Sequence, residues 1–431
     1  MRSDDPRLLA ASADLASSET VLSPLHAHVV SALRDGAEEV PDDPRPWHAV
    51  ESPIMLSAER IGTEIAAITR LSRLIAAIPD LAFDGDRSEY FRFLGLPKAV
   101  WPLLLDDGMP TDFFARPDCV LSGGRLQVLE FNIGTGTVNM TAAFASKLHL
   151  ELGTAFPRVA DELGQDWEFL EWSADAELAR VIRDLGQGRP VGLWYHGDSA
   201  ARRRAADMCE VLETYDAAAV PVHTGRIRDT DMPVFGYHSS VHLLGSDGHE
   251  LAAALGALGG RDRRYLRPGD LARTAKTNLA LLHDLADAGR LSDRDAELVR
   301  RHIPETRSVR RLPAEARERK DGWVLKPGVS FKAQGVVLGR ELSEAHWSDA
   351  LEATPDGVVQ RLVEPDPLPL TFHHAGRADV VEHGALVLMP HIIAGRSAGL
   401  SARYSPDKSV LGRIDFESVH STLCVLARRR D

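Results

Sequence analysis

The sequence is poor in cysteine, lysine, net basic charge and long apolar runs, and each shortage narrows what the chain can be. Three cysteines, Cys119, Cys209 and Cys424, lie far apart in a chain of 431 residues. An odd, scattered set excludes a disulfide framework or a thiolate zinc site, both of which need close pairs, and points to reduced thiols in an intracellular protein. No run approaches the roughly 18 apolar residues that cross a bilayer. The opening residues, MRSDDPRLLAASADLASS, carry acids where a secretion signal needs a basic stretch, so the expected setting is cytoplasmic with no membrane partner. Bases are in deficit: 50 Lys and Arg against 63 Asp and Glu leave a net charge of −13. Nucleic acid is thereby excluded as a main partner, because phosphate binding needs a basic face. Only 7 of the 50 bases are Lys, a bias that reads as coding composition.

Catalytic signatures are missing too. No Gly-x-Ser-x-Gly elbow, Walker loop or cysteine nucleophile is found. The seventeen histidines show no metal-ligand spacing, and His373-His374 reads as a polar loop, since adjacent strand residues point apart.

What is present is an ordinary globular composition, 44% hydrophobic and 26% charged, long enough for two or three domains. The fold class expected is α/β (α+β). Residues 1–105 read as a mainly helical region, with helical spacing in SAERIGTEIAAITRLSRLIAAI. Residues 106–175 contain a hairpin, RPDCVL-SGGR-LQVLEFNI. Residues 176–270 alternate helix, strand, helix, strand, as a small parallel unit does. Residues 271–431 start helical and end in a β-rich block.

The hairpin carries the densest chemistry. Arg116, Asp118, Glu130 and Asn132 have even numbers, so within each strand they share a face. A two-residue loop, Gly123-Gly124, sets Asp118 opposite Leu129, on the wrong face. A three-residue loop, Gly123 to Arg125, sets Asp118 opposite Glu130 and Arg116 opposite Asn132. That register gathers hard oxygen ligands suited to Mg²⁺ beside a phosphate-binding cation. A solvent-facing strand edge is the competing reading. Leu126 and Val128 share the parity of Glu130, as in a strand leaving a core at a site.

Farther on, WVLKPGVSFKAQGVVLG places Lys326 at a strand end, followed by a loop of small residues that returns to strand at Gly335. Its ammonium can serve phosphates as a point charge, with Gly328, Ser330 and Gly335 letting backbone amides approach. GVVQRLVEP reads as a buried strand ending at Gln360. Lys276 begins a helical pattern, and Arg403 sits in a loop of small residues, SAGLSARYS. Singly, each has an ordinary structural explanation.

In order, these blocks resemble the ATP-grasp superfamily with its motifs permuted, as in the circularly permuted group that includes glutathionylspermidine synthase. Arg116-x-Asp118 precedes Glu130-x-Asn132 by that group's spacing, and Lys276, Lys326, Gln360 and Arg403 follow. The resemblance implies an ATP-grasp fold with circularly permuted motif order over roughly residues 110–410, preceded by the helical region. It makes 106–175 the Mg-binding part of the core, 176–270 a pre-ATP-grasp-like domain, and 271–431 the lysine and lid part. It implies Mg²⁺ ligands at Asp118, Glu130 and Asn132, and a transition-state arginine at Arg116. ATP contacts are implied at Lys276, Lys326, Ser330 and Lys332, with Gln360 on the adenine strand and Arg403 near an acyl phosphate. No amidase domain accompanies these motifs, so the polyamine substrate is not carried over.

The implied activity is an ATP-dependent carboxylate–amine ligase acting through an acyl phosphate and releasing ADP and phosphate. Its partners would be a small carboxylate and an amine, such as an amino acid, peptide or polyamine, held around residues 190–222 and 134–140. A homodimer is left open. A phosphotransferase and a non-catalytic ATP-binding regulator are the alternatives.

Overall fold

The computed structural model describes residues 48–49, 54–105, 113–140, 167–170, 173–238, 240–245, 248–258, 265, 268–330, 334–366, 370–374, 377–381, 385–405 and 420–429. Among these, no helix is long and apolar enough to cross a membrane.

The longest helix among the described residues, α1 (Ala58–Phe83), follows from a row of apolar residues. Ile61, Ile65, Ile68, Leu71, Ile75 and Ile78 recur at steps of three and four, so they form one stripe, and every one is buried. The helix lies against β4 (Arg125–Ile133), β16 (Arg396–Ser405) and β17 (His420–Arg429). These belong to an eight-stranded sheet completed by β3 (Ala115–Ser122), β15 (Ala385–Ile393), β1 (His48–Ala49), β2 (Ile54–Ser57) and β5 (Trp167–Leu170). Its main path runs β1-β17-β16-β15-β3-β4, and β2 and β5 also pair with β17. The same core takes in Tyr90 and Phe91 of α2 (Arg87–Phe93) and Leu104 of α3 (Trp101–Leu105).

A second unit is a three-stranded parallel sheet, ordered β7 (Ala219–His223), β6 (Val191–Tyr195), β8 (Val234–Gly236). Central β6, VGLWY, is buried at every position, as a strand covered on both faces must be. Leu178, Ile182 and Leu185 of α4 (Ala174–Gly186) and Met208 and Leu212 of α5 (Ser199–Glu213) share its core. Residues after β8 form α6 (Gly248–Ala257).

A third unit carries the lysines. Two short helices, α7 (Asp270–Arg273) and α8 (Thr277–Asp287), lead through α9 (Asp293–His302) into a four-stranded antiparallel sheet. Its order is β11 (Val337–Leu338), β10 (Trp323–Lys326), β12 (Val358–Arg361), β9 (Thr306–Ser308). One face of this sheet is sealed by Ala316 of α10 (Ala314–Glu318) and by Trp347 and Leu351 of α11 (Glu344–Ala353), packed on Trp323, Leu325 and Val359. A separate hairpin joins β13 (Leu370–His374) to β14 (Arg377–Val381).

Several expectations change. Residues 54–57 are strand, paired in parallel with β17. His373 and His374 end β13 and are not in a loop, and Arg403 lies inside β16, paired with Val387 and Ser421. Strand β8 and helix α11 were not foreseen.

Candidate active site

The hairpin of β3 and β4 turns through Gly123 and Gly124, with φ of 58° and 70°. Successive positive φ values are what a two-residue turn matching strand twist requires, and glycine adopts them without strain. Asp366 caps this turn, accepting from the amides of Gly123 and Gly124 at 2.8 Å each. The loop therefore has two residues, Ser122 facing Arg125, and the three-residue loop is not used. Yet Asp118 faces Glu130 and Arg116 faces Asn132. A bulge at Leu129 supplies the missing residue, because Cys119 pairs with Val128 and Asp118 already with Glu130. The bulge also corrects the shared parity of Leu126 and Val128 with Glu130. Those two stay in the core with Phe131 and Ile133, while Glu130 and Asn132 take the other face.

The outer edge of β4 has no neighbouring strand on this path, and side chains satisfy its backbone instead. Glu64 accepts from the Leu126 amide at 2.9 Å, and the His302 ring lies 3.0 Å from the Leu126 carbonyl. Thr274 donates to the Phe131 carbonyl at 2.9 Å and accepts from the Ile133 amide at 3.3 Å. At the bulge, Lys326 Nζ donates to the Leu129 carbonyl at 3.0 Å.

Lys326 also donates to Gln360 Oε1 at 2.7 Å, and Gln360 Nε2 donates to Thr306 at 3.0 Å. Gln360 is 1% exposed with both amide ends engaged, so it holds the lysine; the adenine edge expected of it would need one end released. Lys276 Nζ sits 3.1 Å from Glu130 Oε2 and donates to the Ser330 carbonyl at 3.0 Å. The two lysine segments touch through the Lys276 amide, which donates to the Gly328 carbonyl at 2.7 Å. A Cβ on Gly328 would lie 2.5 Å from the Asp356 carbonyl and 2.7 Å from the Thr277 hydroxyl, so only glycine fits there.

Asn132 donates its amide nitrogen to Asp118 at 3.1 Å and to the Arg116 carbonyl at 3.2 Å. Arg116 Nη2 lies 3.6 Å from Asp118 Oδ1. Burial pushes the Glu130 carboxyl up, but Lys276, Lys326 and Arg116 together outweigh it and hold Glu130 down to about 2. Burial lowers the Lys326 ammonium to about 8, opposed by Glu130 and aided by Lys276. At neutral pH the cluster is therefore an ionised carboxylate among cations.

A glutathione synthetase-like effector from Globodera pallida, solved in apo form, superposes with a TM-score of 0.59 at 13% identity, covering 93% of this chain and 97% of that one. The fold is glutathione synthetase-like. This agrees with the α/β, ATP-grasp-type class expected from the sequence. A putative γ-glutamylcysteine synthetase from Methylobacillus flagellatus KT aligns over 82% of this chain and 84% of that one, at 10% identity and a TM-score of 0.36, too loose to bear on the fold. No family model matches the chain, and no curated protein matches it by sequence.

On this glutathione synthetase-like fold, Arg116, Asp118, Glu130, Asn132, Lys276, Lys326 and Gln360 come together from β3, β4, the start of α8, β10 and β12. Ser330 joins through its carbonyl, and its hydroxyl is buried without a partner among the described residues. Arg403 is brought to the same sheet by its backbone; its side chain and Lys332 lie outside the described residues. Sequence reasoning missed Thr274, Thr306 and His391. Only His391, a lone imidazole in the apolar run ALVLMPHII, left a trace there.

Among the described residues, no group of three or more His, Cys, Asp and Glu side chains could hold a metal ion. The oxygens at hand are those of two carboxylates, Asp118 and Glu130, and one amide, Asn132. Such a short, hard set fits Mg²⁺, which keeps waters and leans on substrate phosphates.

Proposed function

We propose that this protein is an ATP-dependent carboxylate–amine ligase that works through an acyl phosphate. The observation that carries the reading is the convergence of two buried lysines, Lys276 and Lys326, on the Glu130 edge of a glutathione synthetase-like fold. Paired ammonium groups beside an ionised carboxylate form a place for polyphosphate with its counter-cation.

Lys276 and Lys326 would bind phosphate oxygens as point charges, with Gln360 and Thr306 fixing Lys326. Asp118, Glu130 and Asn132 would hold Mg²⁺, which would supply charge neutralisation to the transferring phosphate. Arg116 would face the γ-phosphoryl group as a carboxylate oxygen attacks phosphorus and ADP departs. The amine then attacks the acyl carbon, phosphate leaves, and the nitrogen gives up a proton to yield the amide. Arg403 and Lys332 belong to this reading as the acyl-phosphate and lid cations. The two substrates would sit by the parallel unit and by the 3₁₀ turn Thr135–Met140, which packs on β3, β4 and β8.

The test is product analysis. Purified protein with Mg-ATP and pooled amino acids, peptides and polyamines should give ADP, phosphate and an amide-linked mass. Glu130→Gln should lower the rate by about 10²–10³-fold. AMP and pyrophosphate would overturn the acyl phosphate. ADP with a phosphorylated product and no amide would make the protein a phosphotransferase. Mg-ATP binding without turnover, with every pool, would make it a binding protein.

A further inference from the structure

His391 is a buried titratable group that the proposed reaction does not use. It is 2% exposed, near the end of β15. Val387 faces Val120, Leu388 faces Cys119 and Ile392 faces Ala115, so β15 and β3 keep one register on both sides of Met389–His391. Continuing that register by one residue from the Ile392–Ala115 pair sets His391 directly across from Arg116, with the roughly 5 Å Cβ spacing of facing strand residues. Arg116 in turn faces Asn132. The ring is fixed on its other side by Ser401 of β16, whose Oγ lies 2.9 Å from Nε2. One row of the sheet thus reads His391, Arg116, Asn132, anchored diagonally by Ser401.

Charge decides what an imidazole does here. Arg116 is 4% exposed, so little water screens it from its neighbour. A protonated ring would add a second positive charge across from Arg116 in a poorly screened interior, and the repulsion would work against the arginine's placement. Burial and the Arg116 charge push the His391 ring down to about 3, so it stays uncharged at working pH. On the acidic side of the guanidinium, Asp118 Oδ1 forms an ion pair with Nη2 at 3.6 Å.

We propose that His391 is a positioning residue that, as a neutral imidazole clamped by Ser401, fixes the Arg116 guanidinium so that its charge serves an incoming anion. The proposal rests on the ligase reading for the identity of that anion, the transferring phosphoryl group. The placement of Arg116 by His391 is independent of it.

Three variants of His391, one of Ser401 and a set of spectra test it in the full chain. His391→Gln keeps a neutral group that can reach Ser401 and should retain kcat within about threefold. His391→Lys sets a second cation against Arg116 and should cut kcat by at least about 30-fold, with KM for ATP changed by less than about threefold, because Lys276 and Lys326 remain. His391→Ala should fall between them, with Ser401→Ala nearer wild type. In ¹⁵N spectra the wild-type His391 ring should keep its neutral signature from pH 5 to 8. The Arg116 Nε–H resonance should stay in place in His391→Gln and move in His391→Ala and His391→Lys.

A His391 ring that titrates near 6.5 would overturn the proposal. So would an Arg116 signal indifferent to all three His391 variants, or a His391→Lys protein with wild-type kcat. Failure of the ligase reading would appear instead as wild-type protein giving no amide, and the Arg116 spectra, which need no substrate, would still decide this inference. Melting temperatures of each variant separate misfolding from mispositioning, and the wild-type titration stands if a variant does not fold.

Discussion

At the residue scale, Lys326 is the group whose chemistry is most exposed to pH. Its folded value, about 8, lies below the ordinary lysine value near 10.4, so the folded chain releases this proton earlier than the unfolded chain. The free protein carries the ammonium below pH 8 and loses it above. An anion binds only the charged form, so Mg-ATP affinity should be highest below pH 8 and fall by up to about tenfold per unit above it. Lys326→Met should bind weakly and evenly over the same range. Calorimetric titration from pH 7 to 9.5 checks both, and a flat wild-type profile would remove Lys326 from the nucleotide site. The stability linkage has the same origin: between about 8 and 10.4 the unfolded state holds more protons, so this lysine's contribution to stability rises with pH there.

At the element scale, the edge strand β4 depends on borrowed hydrogen bonds. Thr274 satisfies the Phe131 carbonyl and the Ile133 amide on either side of Asn132. Thr274→Val keeps the shape and removes both bonds, so it should cost about 1–3 kcal/mol in chemical denaturation, and Thr274→Ser should recover most of it. In the turn, Gly124 has φ of 70° and open space where a Cβ would lie, with no atom within 4 Å, so Gly124→Ala tests backbone preference alone. A loss of about 1–2 kcal/mol is expected. These elements show what a sequence can and cannot tell. The facing of Asp118 with Glu130 was legible from residue types, but not its cause, because a bulge at Leu129 leaves no residue signature and changes every parity after it. The lysine segments were legible as strand and helix starts. The role of Gln360 was not, since its partners Lys326 and Thr306 lie 34 and 54 positions away. Strand β2 was unreadable for a similar reason: four residues, Ile54–Ser57, become strand only through β17, at the far end of the chain.

At the scale of the whole molecule, one apolar core runs from Ile61 to Ala402. The six buried residues of the α1 stripe bring about 9–18 kcal/mol of burial at 1.5–3 kcal/mol each. That rivals the entire net stability of an ordinary domain, about 5–15 kcal/mol. A chain lacking α1 should therefore lose fixed tertiary structure, read as a collapse of near-UV circular dichroism, while α4 and α5, whose buried residues lie in a second cluster, keep helical signal in the far-UV. The parallel pairing of β2 with β17 bears also on how the molecule is made. His420 follows Ser57 by 363 positions. At about 5–20 residues per second, a ribosome takes on the order of 20–70 seconds to deliver that partner. Through that interval α1 lacks β17, one of the strands it lies against, so nascent chains should engage a chaperone before synthesis ends, and slowing elongation should lower the soluble yield.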